Sequence, residues 1–353
     1  MTQEPDAARR EFPGWPEVLT LLFHRHDLSY DLARLALIEI LSGETSIAHA
    51  AAFVAGLRTK GETVAEVSGM ASAMLEFATL VDVDPHVVDT CGTGGDRAMT
   101  INVSTMAALI VAGAGEKVCK HGGRASSSKS GSADVLECLG VKVDIGPSLV
   151  AECIDKANIG FCFAPKFHPA MANVAALRRE LGVPTIFNFL GPLVNPARAR
   201  FQVVGVSDPA MAETMIGVLA DQGSERAMVV FGEDGLDEIS TTTESSILEL
   251  SRDGGGKPIV TRYKLNPSDF GIPLAGISDL RGGEAAENAL VVREVLKGKS
   301  GPVADIAILN AGAALYICGA ASDITQGISL ARESISSGGA LTALDRLVAN
   351  SQG

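Results

Sequence analysis

Residues 89–105 constrain this chain more than any other stretch. Val87, Val88 and Asp89 read as the end of a buried strand, and Gly92, Gly94 and Gly95 follow at once. Asn102 or Ser104 can cap a helix carrying the apolar residues Met106 to Ala114. A strand, a glycine turn and a helix N-terminus, in that order, present backbone N–H groups and a positive dipole end to an anion. Glycine suits such a turn because it takes positive φ and puts no Cβ between backbone and ligand. Two nucleotide signatures are excluded. There is no G-x-x-x-x-G-K-S/T loop, and Gly92-Thr93-Gly94 runs into Gly95-Asp96-Arg97, which breaks G-x-G-x-x-G at its third glycine. Taken alone, a turn of this kind is a tight connection more often than a ligand site.

A second stretch, 117–132, changes that balance. Lys117, Lys120, His121, Arg124 and Lys129 stand there among glycines and serines, in a chain whose formal net charge is −13. Cations and hydroxyls are the donors that phosphate oxygens take. A lone charge run is usually a solvated loop. Two anion-type loops flanking a single helix favour a bound phosphate.

The acidic balance argues against a protein that tracks a nucleic-acid backbone, which needs extended basic surface. No apolar run approaches membrane-spanning length, and residues 1–6 lack a charged-then-apolar leader pattern. The expectation is a cytoplasmic protein that binds neither nucleic acid nor membrane. The six cysteines include no C-x-x-C pair, so reduced thiols are expected, with Cys91 a small apolar residue ending its strand.

Length allows one large α/β domain or two unequal ones. From Trp15 to Leu80 the apolar residues recur at helical spacing, interrupted at Ser42-Gly43 and Lys60-Gly61. This predicts a small all-helical N-terminal domain over 1–84. The remainder, 85–353, predicts a larger α/β domain around a mostly parallel sheet. Its strands are expected over 87–89, 117–119, 141–143, 160–164, 201–206 and 226–231. Its helices are expected over 105–114, 132–139, 147–157, 171–181 and 209–222. A strand pair over 241–250 and 259–265 and helices over 285–297, 303–320, 324–336 and 341–348 complete it.

Three other places could carry chemistry. Asp237 and Glu238 follow a strand, at the carboxyl end of the sheet where such folds bind ligands. Adjacent carboxylates there suit Mg²⁺, although an ordinary acidic loop reads the same way. Arg178 and Arg179 could grip a carboxylate or face solvent. His168 could be a ligand contact or a satisfied loop histidine.

Taken together, Gly92-Thr93-Gly94-Gly95-Asp96, Asn102-Val103-Ser104-Thr105, Lys120-His121-Gly122 with Arg124, Ser126 and Ser127, and Asp237-Glu238 resemble the anthranilate phosphoribosyltransferase family. Residues 160–165, Arg178 and 187–196 match it too, so the likeness spans nearly the whole chain. It implies the nucleoside phosphorylase/anthranilate phosphoribosyltransferase type of fold, with about 187–197 joining the helical domain, and a homodimer through that domain. It implies Mg²⁺-dependent displacement of pyrophosphate from phosphoribosyl pyrophosphate (PRPP) by anthranilate. Donor binding falls to Gly92, Gly95, Asp96, Thr100, Asn102, Val103, Ser104, Thr105, Lys120, His121, Gly122, Gly123, Arg124, Ser127, Ser128 and Ser132. Acceptor binding falls to Gly92, His121, Gly123, His168, Met171 and Arg178, and the metal to Ser104, Asp237 and Glu238. No catalytic acid or base is assigned.

The chain departs from the family pattern in three places. Gly123 replaces an asparagine that helps hold the acceptor, Arg97 and Met99 occupy a loop that usually continues with glycine, and Met171-Ala172-Asn173 replaces a more aromatic and basic segment. Arg97 could contact phosphate, crowd the loop or point to solvent. These changes leave open the same PRPP chemistry on another benzoate-type acceptor, and a non-catalytic binding paralogue. A pyrimidine nucleoside phosphorylase would share the architecture, but Arg178 and Asp237-Glu238 speak against it.

Overall fold

The computed structural model describes residues 11–95, 99–125 and 129–353. It opens with four helices, α1 (Trp15–Phe23), α2 (Tyr30–Leu41), α3 (Ile47–Lys60) and α4 (Val64–Glu76). Local chemistry starts each of the last three. Ser29 and Ser46 accept N–H groups of Leu32 and His49, and Thr63 and Glu66 form a capping box. Glu66 is fully buried and also takes the Leu28 N–H at 2.9 Å and Lys60 Nζ at 3.0 Å, which ties α3 to the α4 cap.

The chain then alternates: β1 (Val88–Gly92), α5 (Val103–Gly113), β2 (Val118–Gly122), α6 (Ser132–Cys138), α7 (Pro147–Ala157) and β3 (Ile159–Phe163). Short helices α8 (Ala164–Phe167), α9 (Ala175–Leu181) and α10 (Ile186–Leu190) lead to β4 (Phe201–Gly205), α11 (Ala212–Asp221) and β5 (Arg226–Gly232). A hairpin, β6 (Ser245–Arg252) and β7 (Pro258–Leu265), and helices α12 (Ala285–Leu296), α13 (Pro302–Ile317), α14 (Ile324–Ser336) and α15 (Gly339–Ser351) finish it. The seven strands form one sheet in the order β3-β2-β1-β4-β5-β6-β7, parallel except for β5-β6 and β6-β7.

Two apolar clusters hold this together. One joins the sheet to α5, α13 and α15, and α5 is buried almost throughout, from Val103 to Ala112. The other joins the N-terminal helices to Phe187, Phe189, Leu190, Leu193 and Val194, and to residues of β4, β5, β6 and α11. Where small residues meet, helices approach closely. A Cβ on Gly113 would lie 2.3 Å from the Ala340 nitrogen.

The expected strand over 141–143 is absent. Val141 and Val143 are buried, but the Val141 N–H is taken by Leu136 O and the Lys142 N–H by Ser351 Oγ, so helices cover this segment and no strand pairs with it. The expected helix over 171–181 is a 3₁₀ segment, Pro169–Val174, followed by α9, with Asn173 Nδ2 donating to Leu41 O at 2.7 Å. The strand expected from 241 begins at Ser245, because Asp234 accepts the Ser240 and Thr242 hydroxyls and holds 240–242 as a turn.

Candidate active site

Strand order reverses at β1, with β2 on one side and β4 on the other. Loops leaving neighbouring strands diverge at such a point and open the crevice where α/β sheets take ligands. There β1 and β4 pair in register, Gly92 opposite Gly205. Asp237, from the loop after β5, lies across both. A Cβ on Gly92 would sit 2.2 Å from Asp237 Oδ2, and one on Gly205 would sit 1.6 Å from the Asp237 backbone oxygen. The Gly94 N–H donates to Asp237 Oδ2 at 2.7 Å, with Gly94 and Gly95 at φ 69° and 87°. Ser207 Oγ braces the same turn by donating to Gly94 O at 2.7 Å.

The carboxylate pair is held from behind. Leu236 and Ile239 are fully buried on either side of it. Asn310, on α13, accepts the Ile239 N–H at 3.0 Å and returns a bond to Ile239 O at 2.9 Å. Glu238 is partly exposed, and its charge reaches both Cys91 and Lys120.

Lys120 lies beneath the N-terminus of α5. Its ammonium donates to Thr90 O at 2.6 Å and Ser104 Oγ at 3.3 Å, with 1% of the residue exposed. Burial pushes the Lys120 pKa down and the Asp89 pKa up, and the attraction between the two opposes both shifts. Asp89 accepts Asn195 Nδ2 at 2.8 Å and the His121 N–H at 3.2 Å, which joins β1, β2 and the 187–196 segment. Asn102 stands at the N-cap of α5 without a side-chain cap bond, so its side chain does not block that helix end. Val103 is 1% exposed, and its N–H already donates to Ile101 O at 2.7 Å.

The second loop closes at a neck. A Cβ on Gly131 would lie 2.4 Å from the Arg124 carbonyl carbon, while Asp134 Oδ2 accepts the N–H groups of Ala125 and Gly131 at 3.1 and 2.8 Å. Arg124 donates to Asp134 at 2.7 Å and to both oxygens of Glu137 at 2.7 and 3.0 Å, and these carboxylates raise its pKa. Ser132 Oγ accepts the Thr105 hydroxyl at 3.0 Å, joining the starts of α5 and α6. Gly123 is spacious, with Ala164 Cβ nearest its missing side chain at 3.8 Å. Gly122 is tighter, at 3.2 Å from Phe161.

On the other wall, the His121 and His168 rings lie 5.0 Å apart, centroid to centroid. Both residues are about 95% buried, and His121 Nε2 and both His168 ring nitrogens lack hydrogen-bond partners. Val194 backbone lies near His168 and slightly favours its charged form, but outside hydrogen-bond geometry. Burial lowers the two pKa values to about 3 for His121 and about 4 for His168, so both rings are neutral at pH 7. Arg178 stands on α9, half-buried. Among the described residues no acid pairs with it, and burial alone shifts its pKa, downward. Met171 packs against the helical cluster.

Asp96, Arg97, Ser127 and Ser128 lie outside the described residues, while Thr100 bridges in antiparallel fashion to Arg281. Among the described residues no group of three His, Cys, Asp or Glu side chains could cage a metal. Two carboxylates with the Ser104 hydroxyl suit Mg²⁺, which retains waters and completes its shell with substrate phosphate oxygens. Sequence reading passed over Asn195, Asn288 and Asn310. Each is a buried amide; Asn310 stands isolated in an apolar run and Asn195 follows one, which was the available signal, whereas Asn288 follows Glu287 and carries none.

The chain is similar to known proteins in both sequence and fold. Residues 84–341 match a family model described as glycosyl transferase family, a/b domain, and residues 16–78 match its helical bundle domain. Anthranilate phosphoribosyltransferase of Nocardioides sp. is 50% identical over 340 residues, covering 95% of this chain and 98% of the relative. That of Alkaliphilus metalliredigens is 45% identical with the same coverage. The crystal structure of the Thermus thermophilus anthranilate phosphoribosyltransferase superposes with a TM-score of 0.88 at 40% identity, over 95% of this chain and 99% of that one. The Saccharomyces cerevisiae enzyme in complex with PRPP and Mg superposes with a TM-score of 0.87 at 30% identity, over 96% and 98%.

Proposed function

The chain belongs to the anthranilate phosphoribosyltransferase family, and on that footing we propose that its two glycine loops, Asp237, Glu238 and Arg178 line one active site. The enzyme transfers phosphoribosyl from PRPP to the amine of anthranilate, giving N-(5-phosphoribosyl)anthranilate and pyrophosphate, a step of tryptophan biosynthesis that depends on Mg²⁺. The observation that carries our site assignment is Asp237 lying across Gly92 and Gly205 at the point where strand order reverses.

Breaking the C1–O bond of PRPP builds charge on the departing pyrophosphate and leaves an oxocarbenium-like ribose. Bound Mg²⁺, held by Asp237, Glu238 and Ser104, supplies charge neutralisation there. The chain's own contribution is fixed donors. The N-terminus of α5, which has no side-chain cap, and the Lys120 ammonium behind it present positive charge beside the 92–95 turn, whose Thr93 and Gly94 N–H groups are held by Gly205 O and Asp237 Oδ2. The acceptor's amine is already neutral at pH 7, so its attack calls for positioning, with no strong base needed. Arg178, with no acid paired to it among the described residues, anchors the acceptor carboxylate. Neutral His121 and His168 offer ring nitrogens to the acceptor without adding charge.

The helical part, 1–84 with 187–197, acts in this reading as the small domain and carries the homodimer contact. Phe23 and Ile47 support it, being 66% and 49% exposed on α1 and α3. No helix among the described residues is long and apolar enough to cross a membrane.

The test is mass spectrometry of protein, Mg²⁺ and PRPP incubated with anthranilate and with hydroxylated, methylated and amine-free benzoates. A PRPP-dependent anthranilate adduct that EDTA abolishes is expected. An adduct with another benzoate only would overturn the acceptor, and no adduct at all would overturn the whole reading.

A further inference from the structure

Two loops far apart in sequence meet on one side chain. Asn288, on α12, is 2% exposed. Its Nδ2 donates to Asn102 Oδ1 at 2.9 Å and to Ser130 Oγ at 2.8 Å, and its Oδ1 accepts the Gly283 N–H at 2.7 Å. Asn102 closes the ring by donating from Nδ2 to Ser130 O at 3.1 Å. Asn102 ends the loop after β1, and Ser130 lies near the end of the loop after β2.

The backbone beside this ring is joined in the same way. The Ile101 N–H donates to Leu280 O at 2.9 Å and the Gly282 N–H to Met99 O at 2.8 Å. A Cβ on Gly282 would stand 2.9 Å from Thr100 O and 3.0 Å from Asn288 Nδ2. Segment 280–288 is thus zipped to the first loop by main chain and clasped to the second through one amide.

We propose that Asn288 is a positioning residue for the PRPP site, coupling the two phosphate loops so that a phosphate seated on one presets the other. This rests on the functional reading above. A buried amide that served only its own helix would spend its hydrogens on nearby backbone. Asn288 spends both on the loops that flank α5 and its oxygen on the turn that zips to them. Only an amide meets this pattern, because it needs two donors and one acceptor on one short side chain.

Asn288→Ala, Asn288→Asp and the milder Ser130→Ala test it, the last removing one arm of the clasp and keeping the fold. Calorimetry with PRPP and Mg²⁺ is expected to show Kd raised at least tenfold in Asn288→Ala and about threefold in Ser130→Ala. The anthranilate KM and kcat are expected to stay within about twofold. Asn288→Ala placed on Asn102→Ala should change PRPP affinity by less than twofold, since the first change has already cut that route. A lowered Tm with unmoved PRPP affinity would mark a merely structural amide and overturn the proposal, as would fully additive effects. Hydrogen exchange without ligand separates this from the functional reading. The Ile101 and Gly131 amides should exchange at least fivefold faster in Asn288→Ala. Wild-type protein that binds no PRPP would overturn the functional reading, and unchanged exchange at both amides would overturn the clasp.

Discussion

The Gly94 N–H donates to Asp237 Oδ2 at 2.7 Å, so the glycine turn after β1 is built on a carboxylate that arrives 143 residues later. That bond makes the glycine turn and the Asp237-Glu238 loop one unit. The backbone of the turn and the acid therefore keep a fixed separation.

Gly205→Ala should break that unit without touching a ligand. Its Cβ would fall 1.6 Å from the Asp237 backbone oxygen, so the 236–239 loop must shift. The expected cost is about 1–3 kcal/mol by thermal denaturation, with kcat/KM for PRPP reduced about a hundredfold and more Mg²⁺ needed for half-maximal rate. Unchanged Mg²⁺ dependence would contradict the arrangement.

Arg178→Ala should raise the anthranilate KM by about a hundredfold, as loss of a charge-assisted carboxylate contact does. The PRPP KM should stay within about twofold. Its guanidinium is half-buried without an acid among the described residues, so removal should leave Tm unchanged or slightly higher. A marked fall in Tm would show that Arg178 serves the fold.

His121 and His168 have folded pKa values of about 3 and about 4, below the unfolded value of about 6.5. Between those limits the unfolded chain binds more protons, so stability rises with pH there and is fully present above about 6.5. Acidification from pH 6.5 to 4.5 should cost up to about 1.4 kcal/mol per pH unit for each histidine. Chemical denaturation across that range measures the slope, and His168→Asn should reduce it by up to half. Between pH 7 and 8 neither ring should affect kcat.

Gly123 and Gly131 share a loop yet should respond oppositely. An asparagine at 123 has room, with the nearest atom 3.8 Å from its Cβ, and adds an amide on the acceptor side. Gly123→Asn should keep Tm within about a degree and lower the anthranilate KM about threefold to tenfold. Gly131→Ala meets backbone at 2.4 Å and should open the neck, raising the PRPP KM about tenfold or more. Equal effects from the two changes would refute this account of the loop.

Much of this molecule is written locally. Ser29, Ser46 and Thr63 start helices with their own side chains, and Gly92 to Gly95 turn the chain between β1 and α5. Periodicity misled where partners distant in sequence or side-chain bonds intervened. Val141 and Val143 look like a strand, but helices claim their amides. Asn173 looks like a residue within one helix, but it reaches across to α2, in the 3₁₀ segment that precedes α9.

By itself, then, the sequence determined the helical start, the alternation of strands and helices, and the two glycine loops. Those depend on residues a few positions apart, whose dihedral preferences and caps act before any distant contact forms. Only the tertiary structure decided that Asp237 crosses Gly92 and Gly205, that His121 stands beside His168, and that Asn288 joins Asn102 to Ser130. Most buried polar atoms find a partner wherever packing brings one, and that partner's position along the chain leaves no mark in local sequence.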